Sequence, residues 1–568
     1  MVSRGDGRKG RDFWPGAVLA AGSFLLLFLT RSAAQTGDSL SYVWAARTGQ
    51  GLFHPHHLIF NFIIREMHRF STAAGLGLTP LDAAQLHNIL WSVAAVVSLY
   101  AIGRVLFISR RWALLAGASL LVSQGFWEYA TQAQSYAPAV GSLALLAFLL
   151  IRKPVGRFRT GDWAGIAVLL AVAVLYHQGN VLFVAPLAAF ILLSLGRRGL
   201  RPLFLTSAFS GLMVVSAYAI GFFSSGGERT AAGFVRFVFS YAYHPAPLWG
   251  TWRNFSPHGL GYLLFSQLRC LIPVWKTTRL FLLAGMGAGL AALFIGSAVR
   301  VCRRTDDRAW GAFLLTWLAV EYIFYLWWAP YDKPWFIVTV IPLIFLAGRA
   351  ARTFGSRLLS RPVARRTASA AAVLLLAAAA GFNYAASIRP LQASLGSDYA
   401  EASAAAHCAA EDEFILASFD VQEHLRYYFG RRNLLQVEII PMSLCQDLAL
   451  PDAYAPLGRT PFVLPFIYLL PQTRLSMVGG YDSPAGWRRT LEWIFDVRKD
   501  AGGEARDCRA FAPLPCAAGY LRVGLERRPL AGWADFLTRL DALGAAAFGA
   551  DPESFRKWDR ETGAAAFR

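Results

Sequence analysis

Two short segments concentrate the side chains that could do chemistry. The first reads Thr36-Gly37-Asp38-Ser39 and, a few residues on, Gly51-Leu52-Phe53-His54-Pro55-His56-His57. An acid followed by three imidazoles in four positions, with a proline fixing the backbone between them, suits proton transfer or the holding of a divalent cation by Asp38 with His54 and His57. Asp38 is also a plausible cap for the helical spacing of Leu40, Val43 and Trp44, and one or more of the histidines could simply be structural. The second segment is Phe126-Trp127-Glu128, followed by Gln134-Ser135-Tyr136. Further along stand His177, the cations Arg253, Arg269, Lys276 and Arg279, and Tyr331-Asp332-Lys333. Lysine and arginine are the groups that bind a phosphate, and Asp332 is the acid at hand to neutralise Lys333. Trp127, Trp328 and Trp335 read as interfacial anchors.

What positions these groups is a membrane scaffold. Of the 568 residues 55% are hydrophobic and 16% charged, and the mean hydropathy is +0.40; soluble domains carry about 25% charged residues. Roughly 11 apolar stretches are long enough for a bilayer crossing. Their centres fall near Ala21, Val97, Leu120, Leu145, Leu169, Ile191, Met213, Leu290, Leu318, Ile341 and Leu376. The formal charge of +20 does not mark a nucleic-acid binder. The excess sits in clusters between apolar runs (Arg152–Arg159, Arg197–Arg201, Arg300–Arg308, Arg349–Arg366), as in loops retained on the cytoplasmic side. With the N-terminus inside, every short basic loop is cytoplasmic. The loops at 31–86, 128–134, 177–180, 224–276 and 328–333 then face outward, so the candidate groups share one side. The first span also resembles a signal peptide, with Ser32-Ala33-Ala34 as a cleavage site.

Two regions follow: a transmembrane region, 1–386, and an outer C-terminal region, 387–568. In the latter, a strand at 414–418, a helix at 421–429 and a strand at 434–440 suggest a small α/β domain. Its cysteines could pair as Cys508–Cys516 and Cys408–Cys445 or remain thiols.

An apolar span, then Gly37-Asp38-Ser39, then Gly51-Leu52-Phe53-His54-Pro55 resembles the first outer loop of the C-type (GT-C) membrane glycosyltransferases, most of all their bacterial protein-O-mannosyltransferase-like branch. Phe126-Trp127 with Ala133-Gln134-Ser135-Tyr136-Ala137 is similar to that branch's second-loop motif, which has glutamate where this chain has Gln134; Glu128 lies nearby. His177 followed by Pro186 resembles a motif of its fifth and sixth spans. The resemblance implies an all-α polytopic fold with a small outer α/β domain. It implies inverting transfer of a monosaccharide from a polyprenyl-phosphate donor to an envelope glycan, lipid or protein, with Asp38 as base, at the outer face of a bacterial inner membrane. His54, His57, Glu128, Gln134, Tyr136, His177, Arg253 and Lys333 are then the candidate substrate contacts. The competing class is a lipid or solute transporter, which would carry paired ionisable residues in mid-span and repeat symmetry between halves. Spans nearly free of charge, and polar residues crowded on one side, favour the enzyme.

Overall fold

The computed structural model describes residues 9–107, 109–226, 229–240, 250–274, 279–303, 308–358, 362–408, 411, 414–436 and the strand segments 462–465, 498–499, 505–506, 509–514 and 520–527. Two compact units divide the chain. One comprises 1–33, 42–241 and 250–394; the other comprises 34–41, 242–249 and 395–568.

The first unit is helical. Lys9–Leu29 (α1) and Gly37–Thr48 (α2), the latter begun in the second unit, are followed by Phe60–Ala73 (α3), Pro80–Phe107 (α4), Arg110–Val122 (α5), Gln124–Thr131 (α6) and Tyr136–Ile151 (α7). Thr160–Tyr176 (α8), Val184–Leu195 (α9), Leu200–Ser224 (α10), Ala231–Val238 (α11) and Pro257–Leu271 (α12) come next. Arg279–Arg303 (α13), Arg308–Trp328 (α14), Val340–Leu358 (α15), Pro362–Asn383 (α16) and the short Arg389–Ala393 (α17) complete it. All the predicted span centres fall inside helices of this series. Among the described residues, five helices are long and apolar enough to cross a membrane, or six if α6 and α7, bent by 117°, form one broken span. Of the other centres, Ala21, Leu169 and Leu290 lie in shorter apolar stretches (Trp14–Leu29, Thr160–Tyr176 and Leu282–Leu293), Leu120 lies in the short α5, and Ile191 and Met213 share the run from Gln178 to Ser224, which Gly196 breaks with φ 57°, a conformation that favours glycine.

Packing is closest where small residues let helices approach. A Cβ at Gly141 of α7 would lie 2.6 Å from the Trp91 carbonyl of α4. The core is aliphatic and aromatic, with Trp317, Phe126, Phe183, Phe313, Phe336 and Phe345 essentially inaccessible. α14 nevertheless carries a buried Glu321, an ionisable residue that its apolar surroundings concealed.

The second unit holds Ser397–Cys408 (α18), Phe414–Ala417 (β1), Phe419–Phe429 (α19), Leu434–Gln436 (β2), Phe462–Pro465 (β3), Arg498–Lys499 (β4), Ala505–Arg506 (β5), Arg509–Leu514 (β6) and Tyr520–Arg527 (β7). A five-stranded sheet runs β2-β1-β3-β7-β6. β1 is parallel to both β2 and β3, while β7 is antiparallel to β3 and β6. Ile415 and Ala417 of β1 bury against Ala402 and Ala405 of α18 and Val421 and Leu425 of α19. Residues 437–440 of the second expected strand, and the thiols proposed to pair, lie outside the described residues.

Candidate functional site

The site in the helical unit begins with a broken helix. At the end of α6, Gln132 is extended (ψ 169°), and the chain restarts in α7, whose Pro138 sits in the first turn where no amide donor is needed. The break leaves buried carbonyls that require partners. α4 supplies them. Asn88 Nδ2 donates to the carbonyls of Gln132 (2.7 Å) and Gln134 (2.6 Å). Gln85 Nε2 donates to those of Thr131 (2.9 Å) and Ser32 (2.8 Å). The elbow is therefore rigid, and it presents Glu128 and Tyr129 from one arm and Ser135 and Tyr136 from the other.

A second segment arrives after α14. Asp332 is extended, and Pro334 starts a short 3-10 turn over Lys333–Ile337. Lys333 Nζ lies 2.6 Å from Glu128 Oε2, with the two side chains 7% and 14% exposed. Gln124 Nε2 braces the pair, donating to Glu128 Oε2 (3.2 Å) and to Ser387 Oγ (3.0 Å). Lys333 Nζ also stands 5.3 Å from the Tyr129 ring centre. Asp332 takes a different hydrogen-bond partner, although the Lys333 charge favours its ionised form. Its Oδ2 accepts from Trp335 Nε1 at 2.7 Å, and burial pushes its carboxyl up to about 6. Glu128 is the lysine's partner because the α6–α7 elbow turns it inward.

The third segment is the histidine loop. Pro55 opens a 3-10 turn over Pro55–His57, with His54 extended before it. Tyr218 OH donates to the Pro55 carbonyl, and Ser135 Oγ lies 2.8 Å from His57 Nδ1. The rings form a continuous cluster. His54 stacks on His57 at 5.4 Å, and His57 lies 5.4 Å from His177 and 5.1 Å from Tyr42. His177 meets Tyr136 at 5.5 Å and Trp335 at 4.6 Å, edge to face. Tyr136 meets Tyr129 at 5.4 Å, linking the histidines to the ion pair. Burial lowers His54 to about 4 and holds His56 and His57 well below the usual range, neighbouring histidines adding to the effect. These imidazoles are neutral at pH 7 and act as hydrogen-bonding groups, not cations. A cavity of about 20 Å³ lies among Tyr136, His177, Asn180, Tyr325 and Trp335, room for one water. His177 Nε2, buried beside it, has no hydrogen-bond partner among the described residues.

The predicted residues divide accordingly. His54, His57, Glu128, Tyr136, His177 and Lys333 come together in one unit. Gln134 is buried at the elbow, where its carbonyl serves the break. Asp38 sits exposed in the first turn of α2, one turn before Tyr42, and belongs to the second unit. The side chains of Arg253, Lys276 and Arg279 lie outside the described residues. Arg269 stacks on Phe265 of its own helix at 5.6 Å. Among the described residues no three His, Cys, Asp or Glu side chains are placed to hold a metal ion, so the cation offered as an alternative to proton transfer for Asp38, His54 and His57 has no ligand set there. Sequence reasoning missed Trp335, set aside as an anchor, together with Tyr129 and Ser135. Only the neighbourhood of Trp335 to Lys333 and of Tyr129 to Glu128 could have flagged them.

Residues 69–220 match the family model of dolichyl-phosphate-mannose-protein mannosyltransferases. The stretch includes Glu128, Gln134, Tyr136 and His177 but not Asp38 or Lys333. No protein of curated function matches the chain by sequence. Among solved structures, ArnT from Cupriavidus metallidurans bound to undecaprenyl phosphate is 13% identical, with a TM-score of 0.54 over 80% of this chain and 93% of that one. The Archaeoglobus fulgidus oligosaccharyltransferase tethered to an acceptor peptide is 10% identical, with a TM-score of 0.52 over 84% and 72%. At these identities the likeness is one of fold. By that fold, and by the sequence of residues 69–220, this multi-pass membrane protein resembles the GT-C superfamily of membrane glycosyltransferases.

Proposed function

We propose that the protein is an inverting glycosyltransferase that takes a monosaccharide from a polyprenyl-phosphate donor and passes it to a hydroxyl of an envelope glycan, lipid or protein. The observation that carries the reading is the convergence of Lys333, Glu128, Tyr136, His177 and Trp335 from three separate loops. Asp38 is the base. Its setting in the chain, Gly37-Asp38-Ser39 shortly after an apolar span, resembles that of the family's first-loop acid. It takes the acceptor proton as the hydroxyl oxygen attacks the anomeric carbon, and the bond to the lipid phosphate breaks with inversion. Lys333 neutralises the charge arriving on the departing phosphate, for which Glu128 holds its place. Part-exposed Tyr136 and Trp335 stack the sugar, and buried, neutral His57 and His177 hold those rings in place. Undecaprenyl phosphate in the ArnT structure supports a polyprenyl-phosphate partner. The basic clusters support a scaffold of about 11 spans with the N-terminus inside and the site and C-terminal domain outside a bacterial inner membrane.

The test is donor turnover by purified protein with a panel of undecaprenyl-phosphate monosaccharides, alongside Asp38→Asn. Loss of turnover in a variant that folds normally supports the base; full activity removes it. Cysteine labelling at Gln50→Cys, an exposed position of the same loop, checks sidedness, and reaction from the cytoplasm would invert the topology. Glu321, buried within α14, favours the second reading, transport. Passage of lipid or solute through reconstituted protein, abolished by Glu321→Gln and not by Asp38→Asn, would establish it instead.

A further inference from the structure

The first turn of α2, on which Asp38 is mounted, begins with amide donors that have no partner within the helix. A local group serves one of them, Thr36 Oγ1 accepting from Ser39 N at 3.2 Å, while the Thr36 carbonyl takes the first regular helical bond, from Leu40 N at 3.1 Å. The Gly37 amide is served from far along the chain. It donates to Asp420 Oδ1 at 2.6 Å, across 383 residues of sequence and within the same compact unit.

The Asp420 end of this contact is rigid. Asp420 is in the first turn of α19, which Ser418 caps by accepting from Val421 N at 3.4 Å and which Gly430 ends in the left-handed conformation, φ 64°. Val421 and Leu425 fix the helix to β1 and α18. The approach to Gly37 is equally close. A Cβ there would come within 2.6 Å of Asp420 Oδ1, 2.9 Å of Asp420 Cα and 3.0 Å of Phe419 Cδ1. One of those atoms is backbone, so only glycine admits the contact. Burial pushes the Asp420 carboxyl up, and the Gly37 amide opposes that shift.

We propose that Asp420 is a positioning residue for Asp38: its carboxylate caps α2 in trans, so that the C-terminal domain sets the backbone of the candidate base. The proposal rests on the glycosyltransferase reading for its consequence in catalysis, and on the contact itself for its structural part. A carboxylate at a helix N-terminus is also favoured by the helix dipole. Asp420 touches no reacting atom. It restricts where Asp38 can stand, and a small displacement of a catalytic group is costly in rate.

The experiment uses the full-length protein in detergent. Amide hydrogen exchange is followed in peptides covering 34–41, and turnover is measured on whichever undecaprenyl-phosphate monosaccharide the protein accepts. Asp420→Ala is expected to speed exchange at Gly37 and to lower kcat about tenfold or more with donor KM nearly unchanged. Asp420→Asn keeps an acceptor oxygen and should restore most of the protection and most of kcat. Should the alanine variant not accumulate, Gly37→Ala tests the same contact from its other side, with the same expected fall in kcat. Unchanged exchange and kcat in Asp420→Ala would overturn the proposal, as would an asparagine variant no better than alanine. If Asp38→Asn keeps full turnover, the base assignment fails instead, and the exchange result still decides whether the cap exists. A dead Asp38→Asn beside an unaffected Asp420→Ala would sink the positioning role alone.

Discussion

Lys333 and Glu128 are 205 residues apart in sequence and 2.6 Å apart in space, and water scarcely reaches either side chain. Neither α6 nor the turn after α14 could bury its charge alone. Each makes the other tolerable, so the pair fixes the two segments against one another.

Removing one partner leaves an uncompensated buried charge. Lys333→Met and Glu128→Leu should each cost about 3–5 kcal/mol, read as a fall in the thermal midpoint in detergent. The double variant should be less destabilised than the sum of the singles. Additive losses would mean that the ion pair has no energetic role.

The elbow between α6 and α7 depends on Asn88. Asn88→Leu leaves the carbonyls of Gln132 and Gln134 buried without their donor, at about 1–3 kcal/mol each. Turnover should fall as well, since the elbow aims Glu128 and Tyr136. Asn88→Leu with the stability and rate of the parent would show that the elbow holds without it.

Acid should loosen the histidine loop. The folded state keeps His54, His56 and His57 neutral, whereas in the unfolded chain they take up protons near pH 6.5. Stability from this source is complete above that pH and is lost as pH falls through 6.5 towards 4. Asp332 acts in the opposite sense. Its folded pKa is raised to about 6, so it favours the fold at low pH and loses that contribution as pH rises from 3.8 through 6. Urea midpoints between pH 4 and 7.5 should drop on the acid side, and His57→Gln should flatten that drop. A profile unchanged by His57→Gln would refute the assignment.

Close packing of α4 on α7 can be tested at a single atom. Gly141→Ala would press a methyl group to 2.6 Å from the Trp91 carbonyl and should cost about 1–3 kcal/mol. Gly22 of α1 has nothing within 4 Å of an added Cβ, so Gly22→Ala should be neutral or slightly stabilising. Equal thermal midpoints for the two variants would contradict the packing described.

By itself, the sequence determined the membrane character, the places of the apolar helices and the roster of candidate groups. Apolar runs and basic clusters are local properties of the chain, and a bilayer reads them locally. Leu145 and Leu318 announce their helices without reference to any neighbour. Tertiary structure decided which candidates meet and in what charge state. That Lys333 takes Glu128 and not the adjacent Asp332, that three histidines are neutral, that Trp335 packs on His177 and that Asp420 reaches Gly37 all depend on contacts between distant residues and on their shielding from water. Those are properties of the packed chain, which no local window of residues contains.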